Sequence, residues 1–498
     1  MNKIYLLLVI FSGYFQALAQ NDLCSNAIVI TPNSECNVVT GTFNGATISS
    51  AAPDCATSAS QDVWYSFVAT DEMMGITLFG TSGVSNGFEV YETNCSGTMI
   101  ICRNANNATG SSESILFNKF LIGSTYMIRV FNAFSATTVN SFSICVQSYP
   151  APVNDNCANS ITLTPNLSCV STSVNLSGST LDGQAVTSCS PNPSQDIWYN
   201  FVATDEVMSV SLSTNSLISN GFEIYKNSCA GTMVVCRNVN GNGSGEFLSW
   251  SGFIIGETYY IRVLNEYVNP ATVTFNICLQ NYPAPSNDAC QNAISIPVNS
   301  TCTTNTVAMS GATLDGVSFT SCSPNPSQDV WYKFIATNTS QTVTISLTSD
   351  ISNGFQVYQN GCNGSIIVCR NSNGNGEGET FTYNGYVVGT EYYIRVLNEY
   401  ITPLTTSTFN VCVVDATLAN EIFTKTPILI APNPFNERIN IESEIEIDRI
   451  EIYGLSGEKL IEQKNSKTIN TSNLSSGFYL LKVITTTGNS FVQKVIKN

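Results

Sequence analysis

Short blocks of alternating apolar and polar residues recur three times along the chain, a pattern typical of β-strands. The first block occupies residues 61–70, 195–204 and 328–337. Successive side chains of a strand point to opposite faces, so Val63, Tyr65 and Phe67 share one face. Trp64 and Val68 lie on the other face. Because both faces are apolar, we expect this strand to be covered on both sides.

Two more blocks keep the same order in each copy, and the period is about 133 residues. They begin at Ser85 and at Tyr126 in the first copy. Short strands, glycine-rich turns and this period favour jelly-roll-like β-sandwiches over propeller blades or β-helix rungs. The sequence predicts an all-β chain of three tandem sandwiches and a small C-terminal β-sandwich. The predicted ranges are 20–149, 154–282 and 287–415 for the three sandwiches (modules 1, 2 and 3), 416–427 for a linker and 428–498 for the C-terminal domain.

The joints between modules are short and rich in proline. They read Tyr149-Pro150-Ala151-Pro152 and Tyr282-Pro283-Ala284-Pro285. Two prolines in four residues favour extended geometry, so we expect semi-rigid spacing between the modules.

All 18 cysteines belong to the modules, six in each at matching positions. They are Cys24, Cys36, Cys55, Cys95, Cys102 and Cys145, then Cys157, Cys169, Cys189, Cys229, Cys236 and Cys278, then Cys290, Cys302, Cys322, Cys362, Cys369 and Cys412. A register kept through three copies indicates a disulfide framework in each module rather than one metal or redox site.

The spacing suggests a pairing. A hairpin between the fourth and fifth cysteines of a module would join Cys95 to Cys102, Cys229 to Cys236 and Cys362 to Cys369. Four cysteines then remain in each module and can pair in three ways. From these we select Cys24 with Cys145 and Cys36 with Cys55.

The N-terminus is typical of a secreted protein. Lys3, an apolar run at 4–11 and Ala17-Leu18-Ala19 form a signal peptide over residues 1–19, so the mature chain should begin near Gln20. No later segment has the roughly 18 consecutive apolar residues of a membrane span.

Charge narrows the class of partner. The modules contain nine basic and 27 acidic residues, a net charge of −18. Nucleic acid is a poor partner for such a surface, whereas cations and neutral sugars are compatible with it.

Two arginines recur at matching positions in every module, and one aspartate recurs with them. An arginine flanked by core strand residues would be costly to bury alone, so we expect internal ion pairs rather than a site for an anionic ligand. The expected pairs are Asp62 with Arg129, Asp196 with Arg262 and Asp329 with Arg395.

Oxygen-rich loops at residues 240–246 and 373–379, and Asn-Asp dipeptides ahead of each first cysteine, raise a calcium hypothesis. These loops lack the alternating Asp pattern of calcium sites, so a hairpin tip is the favoured interpretation and no cofactor is assigned. The chain has no histidine, which removes the commonest catalytic base. A glycosidase with paired carboxylates remains the enzymatic alternative, and no catalytic residue is assigned.

The last 70 residues have a different character. They contain Pro432-Asn433-Pro434-Phe435, then Gly454-Leu455-Ser456-Gly457, then Gly477-Phe478-Tyr479-Leu480-Leu481-Lys482-Val483 and finally Lys494-Val495-Ile496-Lys497. This order of blocks resembles the C-terminal sorting domain (type A) of type IX secretion substrates. The resemblance implies recognition by outer-membrane export and attachment machinery through a signal that includes Pro432, Asn433, Pro434, Gly457, Gly477, Tyr479 and Lys494.

The modules are also similar to cysteine-bearing β-sandwich repeats of large surface proteins, with Asn-Asp-x-Cys starts and Asp-Val-Trp-Tyr strands. This resemblance implies adhesion, or glycan or protein binding. We therefore expect an exported, extracellular or surface-attached, non-catalytic binding protein. The alternatives are a secreted carbohydrate-active hydrolase and a passive surface stalk.

Overall fold

A computed structural model describes most of the chain after the predicted signal peptide. The described residues are 19–49, 51–106, 108–182, 191–215, 217–241, 243–315, 325–346, 352–373, 376–399, 407–416, 428–443, 445–486, 488 and 490–498. The predicted signal peptide, except for Ala19, and all but Ala416 of the predicted linker lie outside these residues.

Nine strands form module 1. They are β1 (Ile28–Val29), β2 (Val39–Thr42), β3 (Gln61–Val68), β4 (Met73–Phe79), β5 (Asn86–Glu92), β6 (Met99–Arg103), β7 (Glu113–Phe117), β8 (Thr125–Asn132) and β9 (Ser141–Tyr149). One sheet has the order β1-β3-β8-β5-β6 and the other β2-β9-β4-β7. β1 runs parallel to β3, and the other neighbours are antiparallel.

Module 2 repeats this arrangement. Its strands are β10 (Ile161–Thr162), β11 (Ser171–Asn175), β12 (Gln195–Val202), β13 (Val207–Leu212), β14 (Asn220–Lys226), β15 (Thr232–Arg237), β16 (Phe247–Trp250), β17 (Thr258–Asn265) and β18 (Thr274–Tyr282). The sheets have the orders β10-β12-β17-β14-β15 and β11-β18-β13-β16.

Module 3 repeats it again with one extra short strand. Its strands are β19 (Ile294–Ser295), β20 (Val298–Asn299), β21 (Asn305–Ala308), β22 (Gln328–Ile335), β23 (Gln341–Ile345), β24 (Asn353–Gln359), β25 (Ser365–Arg370), β26 (Glu379–Tyr383), β27 (Glu391–Asn398) and β28 (Thr408–Asp415). The sheets have the orders β19-β22-β27-β24-β25 and β20-β28-β23-β26, and β21 also pairs with β28.

The C-terminal domain has two smaller sheets. Its strands are β29 (Leu429–Ala431), β30 (Arg438–Glu442), β31 (Ile447–Tyr453), β32 (Lys459–Lys464), β33 (Thr468–Asn470), β34 (Gly477–Thr485) and β35 (Ser490–Lys497). They form the sheets β29-β30-β33 and β32-β31-β34-β35. The chain divides into a unit of residues 1–415 and a unit of residues 416–498. The predicted all-β class is confirmed.

The helices of the described residues are three single turns of 3-10 helix. They lie at Cys24–Asn26, Cys157–Asn159 and Cys290–Asn292, at the start of each module. None of the helices found there is long and apolar enough to cross a membrane.

Each module has its core between its two sheets. In module 1, Val63, Tyr65 and Phe67 of β3 pack into this core, as the alternation predicts. Trp64 is buried on the opposite face of the same strand, whereas Val68 is exposed. The five-stranded sheet is therefore covered on its outer face as well, except near the end of β3.

Both joints pack closely against the following module. A Cβ atom on Gly178 would overlap the carbonyl oxygen of Pro150, and one on Gly311 would overlap that of Pro283. Both glycines also have a positive φ, +83° and +75°, which other residues rarely adopt. The two joints therefore share one geometry, in which the proline segment lies against the backbone of the next module.

The disulfides correct the predicted pairing. Seven bridges join described residues: Cys24–Cys95, Cys36–Cys145, Cys55–Cys102, Cys157–Cys229, Cys169–Cys278, Cys290–Cys362 and Cys302–Cys412. The predicted pairs Cys95–Cys102, Cys229–Cys236, Cys362–Cys369, Cys24–Cys145 and Cys36–Cys55 are wrong.

The register of the hairpin explains the error. Residue Cys102 on β6 lies opposite Glu89, not opposite Cys95. Cys95 lies beyond the end of β5, in the turn that Gly97 closes onto Asn94. The hairpin is present, but its two cysteines bond to different parts of the module, Cys102 to Cys55 and Cys95 to Cys24.

We predict that non-reducing peptide mapping of the mature protein recovers the Cys36–Cys145 bridge. Replacing both cysteines with serine should lower the free energy of unfolding of module 1 by about 2–5 kcal/mol, because a long loop is released in the unfolded chain. A peptide that joins Cys95 to Cys102 would contradict the structure.

Candidate functional site

The charged residues that recur in the modules meet on the outer face of the five-stranded sheet. In module 1, Arg129 on β8 lies in register between Trp64 on β3 and Glu89 on β5. Asp62 is two residues before Trp64 and therefore shares its face. The inner face of these strands forms the core, so the charged side chains can only project outward.

Arg129 makes a dense set of polar contacts. Its Nε and Nη2 lie 2.8 Å and 2.6 Å from Oδ2 of Asp62, and its Nη1 lies 3.2 Å from Oε2 of Glu89. Nη2 also donates to the carbonyl oxygen of Ala51 at 2.9 Å. Arg129 is 2% exposed. These bonds compensate for the hydration that the guanidinium loses on burial.

Two aromatic side chains complete the cluster. The centres of the Trp64 and Tyr91 rings lie 5.8 Å apart, and the guanidinium carbon of Arg129 lies 5.8 Å from the centre of the Trp64 ring. Tyr91 donates its hydroxyl hydrogen to Glu89 at 2.7 Å. Trp64 donates through Nε1 to the Ser49 hydroxyl at 2.9 Å.

A covering segment that contains Asp54 and Cys55 lies over this face of module 1. The Cys55–Cys102 bridge ties the segment to the edge strand β6, and the backbone N–H of Asp54 donates to Glu89 at 2.8 Å. The Cys24–Cys95 bridge fixes the first residues of the module to the turn after β5. Among the described residues of module 1, the side chains of Arg129, Asp62 and Glu89 are therefore at most 2% exposed.

The same cluster recurs in modules 2 and 3. Arg262 Nε lies 2.6 Å from Asp196, and Arg395 Nε lies 2.6 Å from Asp329. The structure thus places all three sequence-predicted ion pairs together. Glu223 takes the place of Glu89 in module 2, whereas module 3 has Gln356 there.

Burial shifts the pKa values of these groups. Burial lowers the pKa of Arg129 and Arg262, but the attraction of Asp62 and Asp196 outweighs it, so both values lie above the ordinary one. Burial raises the pKa of Asp196 to about 7, and Arg262 opposes this shift. Burial, followed by the bond to Glu89, raises the pKa of Tyr91 to about 12.

A second arginine pairs with a glutamate that sequence reasoning missed. Arg103 Nε lies 3.2 Å from Glu113, and the equivalents Arg237–Glu246 and Arg370–Glu379 are both 3.1 Å. Each glutamate is fully buried and also accepts backbone N–H groups of the loop that precedes it. The spacing between arginine and glutamate is nine or ten residues in every module, and this near-constant spacing could have indicated the pairs from the sequence.

The loops considered for calcium are anchored by buried glutamates of their own modules. Glu246 and Glu379 face inward, towards Arg237 and Arg370, and do not project from the loop tips. Among the described residues there is no group of three or more His, Cys, Asp or Glu side chains that could hold a metal.

The Asn-Asp dipeptides anchor the start of each module. Asn21 donates to the carbonyl oxygen of Trp64 at 2.8 Å, and Asp22 accepts from the backbone N–H of Thr47 at 2.6 Å. Asn154 and Asn287 make the same contact with their own tryptophans. These residues therefore have a structural role.

In the C-terminal domain, the first and last sequence blocks lie together. Asn433 accepts from the backbone N–H of Ile496 at 2.8 Å and donates to the carbonyl oxygen of Lys494 at 3.2 Å. Phe435 is fully buried beside them. Lys494 Nζ lies 4.1 Å from the centre of the exposed Phe478 ring.

The other predicted sorting residues lie in turns and on β34. Gly457 has a positive φ of +91° in the turn between β31 and β32. Gly477 begins β34, and Tyr479 donates its hydroxyl hydrogen to the carbonyl oxygen of Ser475 at 2.7 Å.

Comparison with known families gives two matches. A family model described as "Galactose binding domain-like", associated with type IX secretion, matches residues 20–144, 153–277 and 286–411. A model described as "Secretion system C-terminal sorting domain" matches residues 429–498. No curated protein matches the sequence.

Solved structures resemble the chain only remotely. A secreted protein from Eubacterium rectale is 14% identical over 49% of this chain and 72% of its own, with a TM-score of 0.15. The glycoside hydrolase domain of Endo-D from Streptococcus pneumoniae is 12% identical over 34% and 31%, with a TM-score of 0.14. A conserved protein of unknown function from Pseudomonas aeruginosa is 9% identical over 44% and 75%, with a TM-score of 0.12.

We predict that Arg262→Met destabilises module 2 by about 3–5 kcal/mol, because it leaves Asp196 and Glu223 buried without their cation. Hydrogen exchange of the β12, β14 and β17 amides in the intact mature chain measures this effect.

Two matched variants control for it. Glu223→Gln should change exchange only slightly, because module 3 has Gln356 at this position, and Lys226→Met on the same strand should have no effect. Unchanged exchange in Arg262→Met would contradict a structural role for the cluster.

Proposed function

Because the chain belongs to the galactose-binding-domain-like family associated with type IX secretion and ends in a sorting domain of that system, we propose that its modules bind carbohydrate outside the cell without catalysis. The sorting domain directs type IX secretion to the extracellular space or the cell surface. The modules are the part of the protein that then contacts a ligand.

The observation that carries the proposal is the match of all three modules to a galactose-binding-like fold. The electrostatics agree with it. Arg129, Arg262 and Arg395 are buried and are paired with acids of their own modules. A neutral sugar is a ligand that such an acidic surface does not repel.

The burial of carboxylates in the modules, and their pairing with arginines, support a non-catalytic role. Asp62, Glu89 and Glu113 are buried and each is engaged by an arginine. A glycosidase needs two carboxyl groups that face the scissile bond of a bound sugar. These three acids are instead paired with arginines of their own module, where they stabilise the fold.

We predict that the mature chain is retained on immobilised neutral galactose-containing glycans and is eluted by free galactose. The same chain after reduction and unfolding is the control, because it keeps the composition and loses the fold. No retention on any glycan would favour a passive stalk. Steady release of reducing ends from a polysaccharide would favour the hydrolase.

We also propose that residues 432–434, Gly457, Gly477, Tyr479 and Lys494 form the sorting signal. The contacts of Asn433 with Lys494 and Ile496 support this proposal, because they join the two terminal blocks into one surface.

We predict that Asn433→Leu reduces type IX export of a reporter fused to residues 416–498, because it removes both contacts to β35. Extracellular reporter is the readout in a bacterium that has this secretion system. Lys464→Gln, an exposed change on β32, is the matched control. Equal export by Asn433→Leu and the unchanged tail would contradict the role of this surface.

A further inference from the structure

The joint between modules 1 and 2 contains a cleft of about 650 Å³. Its lining residues are Glu72, Asn118, Lys119, Phe120, Leu121, Thr180, Leu181, Asn192, Pro193, Ser194 and Val268. Ligand sites of about 300–1,000 Å³ are common where two domains meet. The cleft is therefore of a size that admits a small oligosaccharide.

The module 1 wall of the cleft is rigid. Phe120 is buried against Phe67 and Tyr126, with ring centres 5.5 Å and 4.8 Å away. The backbone N–H of Leu121 donates to the Tyr126 hydroxyl at 2.9 Å. Gly123, with a φ of +82°, donates to Ala69 at 2.8 Å and turns the chain back into β8.

The module 2 wall is held to module 1. Asn118 Nδ2 donates to the carbonyl oxygen of Ser194 at 2.7 Å across the joint. Thr180 is fixed by Asp155, which accepts from its backbone N–H at 2.7 Å and from its hydroxyl at 3.0 Å. The packing of Gly178 against Pro150 limits rotation of one module against the other. The two walls are thus pre-organised, which reduces the entropy lost on binding.

The surfaces of the walls suit a sugar. Leu121 and Val268 are exposed aliphatic side chains that can pack against the C–H face of a pyranose ring. Glu72, Lys119 and Asn192 are exposed and offer acceptors and donors for hydroxyl groups. One acid and one base balance in charge, which favours a neutral ligand over an anionic one.

We propose that this cleft is the carbohydrate site of the protein, and that it takes a neutral galactose-containing oligosaccharide. This inference rests on the proposed function and assigns it to the joint rather than to the surface of a single module.

The second joint differs at two positions that the argument uses, and at the first of them Ser251 of module 2 takes the place of Asn118. Gly252 of module 2 takes the place of Lys119, and a Cβ atom there would overlap the ring of Trp250. Module 3 likewise has Gly385 packed against Tyr383. Lys119 is therefore specific to the first joint, and the mature chain should bind one ligand.

The test is calorimetric titration of the full mature chain with β-1,4-linked galactotetraose. We expect one site per chain. Lys119→Gly and Asn192→Ala should each weaken binding by about tenfold, which is 1.4 kcal/mol and typical of one lost hydrogen bond to a charged or polar group. Asn325→Ala, the equivalent change at the second joint, should alter the affinity by less than about twofold.

The outcomes separate the two proposals. Wild-type affinity in both cleft variants would overturn the cleft and leave carbohydrate binding intact. A stoichiometry of three with unchanged cleft variants would place the sites on the individual modules. No binding by the wild-type chain, either here or on immobilised glycans, would overturn both proposals.

Discussion

A buried guanidinium on the outer face of each five-stranded sheet governs the rest of the module. Arg129, Arg262 and Arg395 lie where a sandwich would ordinarily meet water, and each is at most 2% exposed. A charge removed from water must be paired and hydrogen-bonded, or it destabilises the fold. Each module therefore needs an acid on the neighbouring strand. In module 1, a covering segment also supplies a backbone carbonyl, and two disulfides hold that side of the module together.

This constraint leaves the binding role to other parts of the protein. The recurring pairs of Arg129, Arg262 and Arg395 with their aspartates stabilise the modules from within and have little contact with solvent. The exposed groups that differ between modules, such as Lys119 against Gly252, are then the ones that can distinguish ligands. The rigid joint matters for the same reason, since a cleft between two modules keeps its shape only if Pro150 and Gly178 hold their packing.

The sequence predicts much of the fold because its repeats carry redundant signals. Alternation identified β3, and scarcity of charge identified the Asp62–Arg129 pair. The predicted disulfide pairing was wrong because a hairpin predicts only which strands are neighbours. The bulge between Val90 and Tyr91 and the length of the turn decide which way each cysteine faces.

The cleft could not be predicted from the pattern either. It is formed by residues far apart in the sequence, such as Asn118 and Ser194, and depends on how two modules meet. The contact of Glu89 with Arg129 was not predicted, because module 3 has Gln356 at this position and the acid therefore does not recur in every module. The alternation of β5 nevertheless placed Glu89 and Tyr91 on one face.

Photoaffinity labelling of the intact mature protein with a diazirine-bearing galactoside tests the central claim most directly. The account predicts that labelled peptides contain residues 118–121 and 192–194, and that free galactotetraose suppresses the label. Two results would contradict the account. In the first, free galactotetraose suppresses the label, but the label lies on peptides remote from the joint of modules 1 and 2. In the second, free galactotetraose does not suppress the label at all.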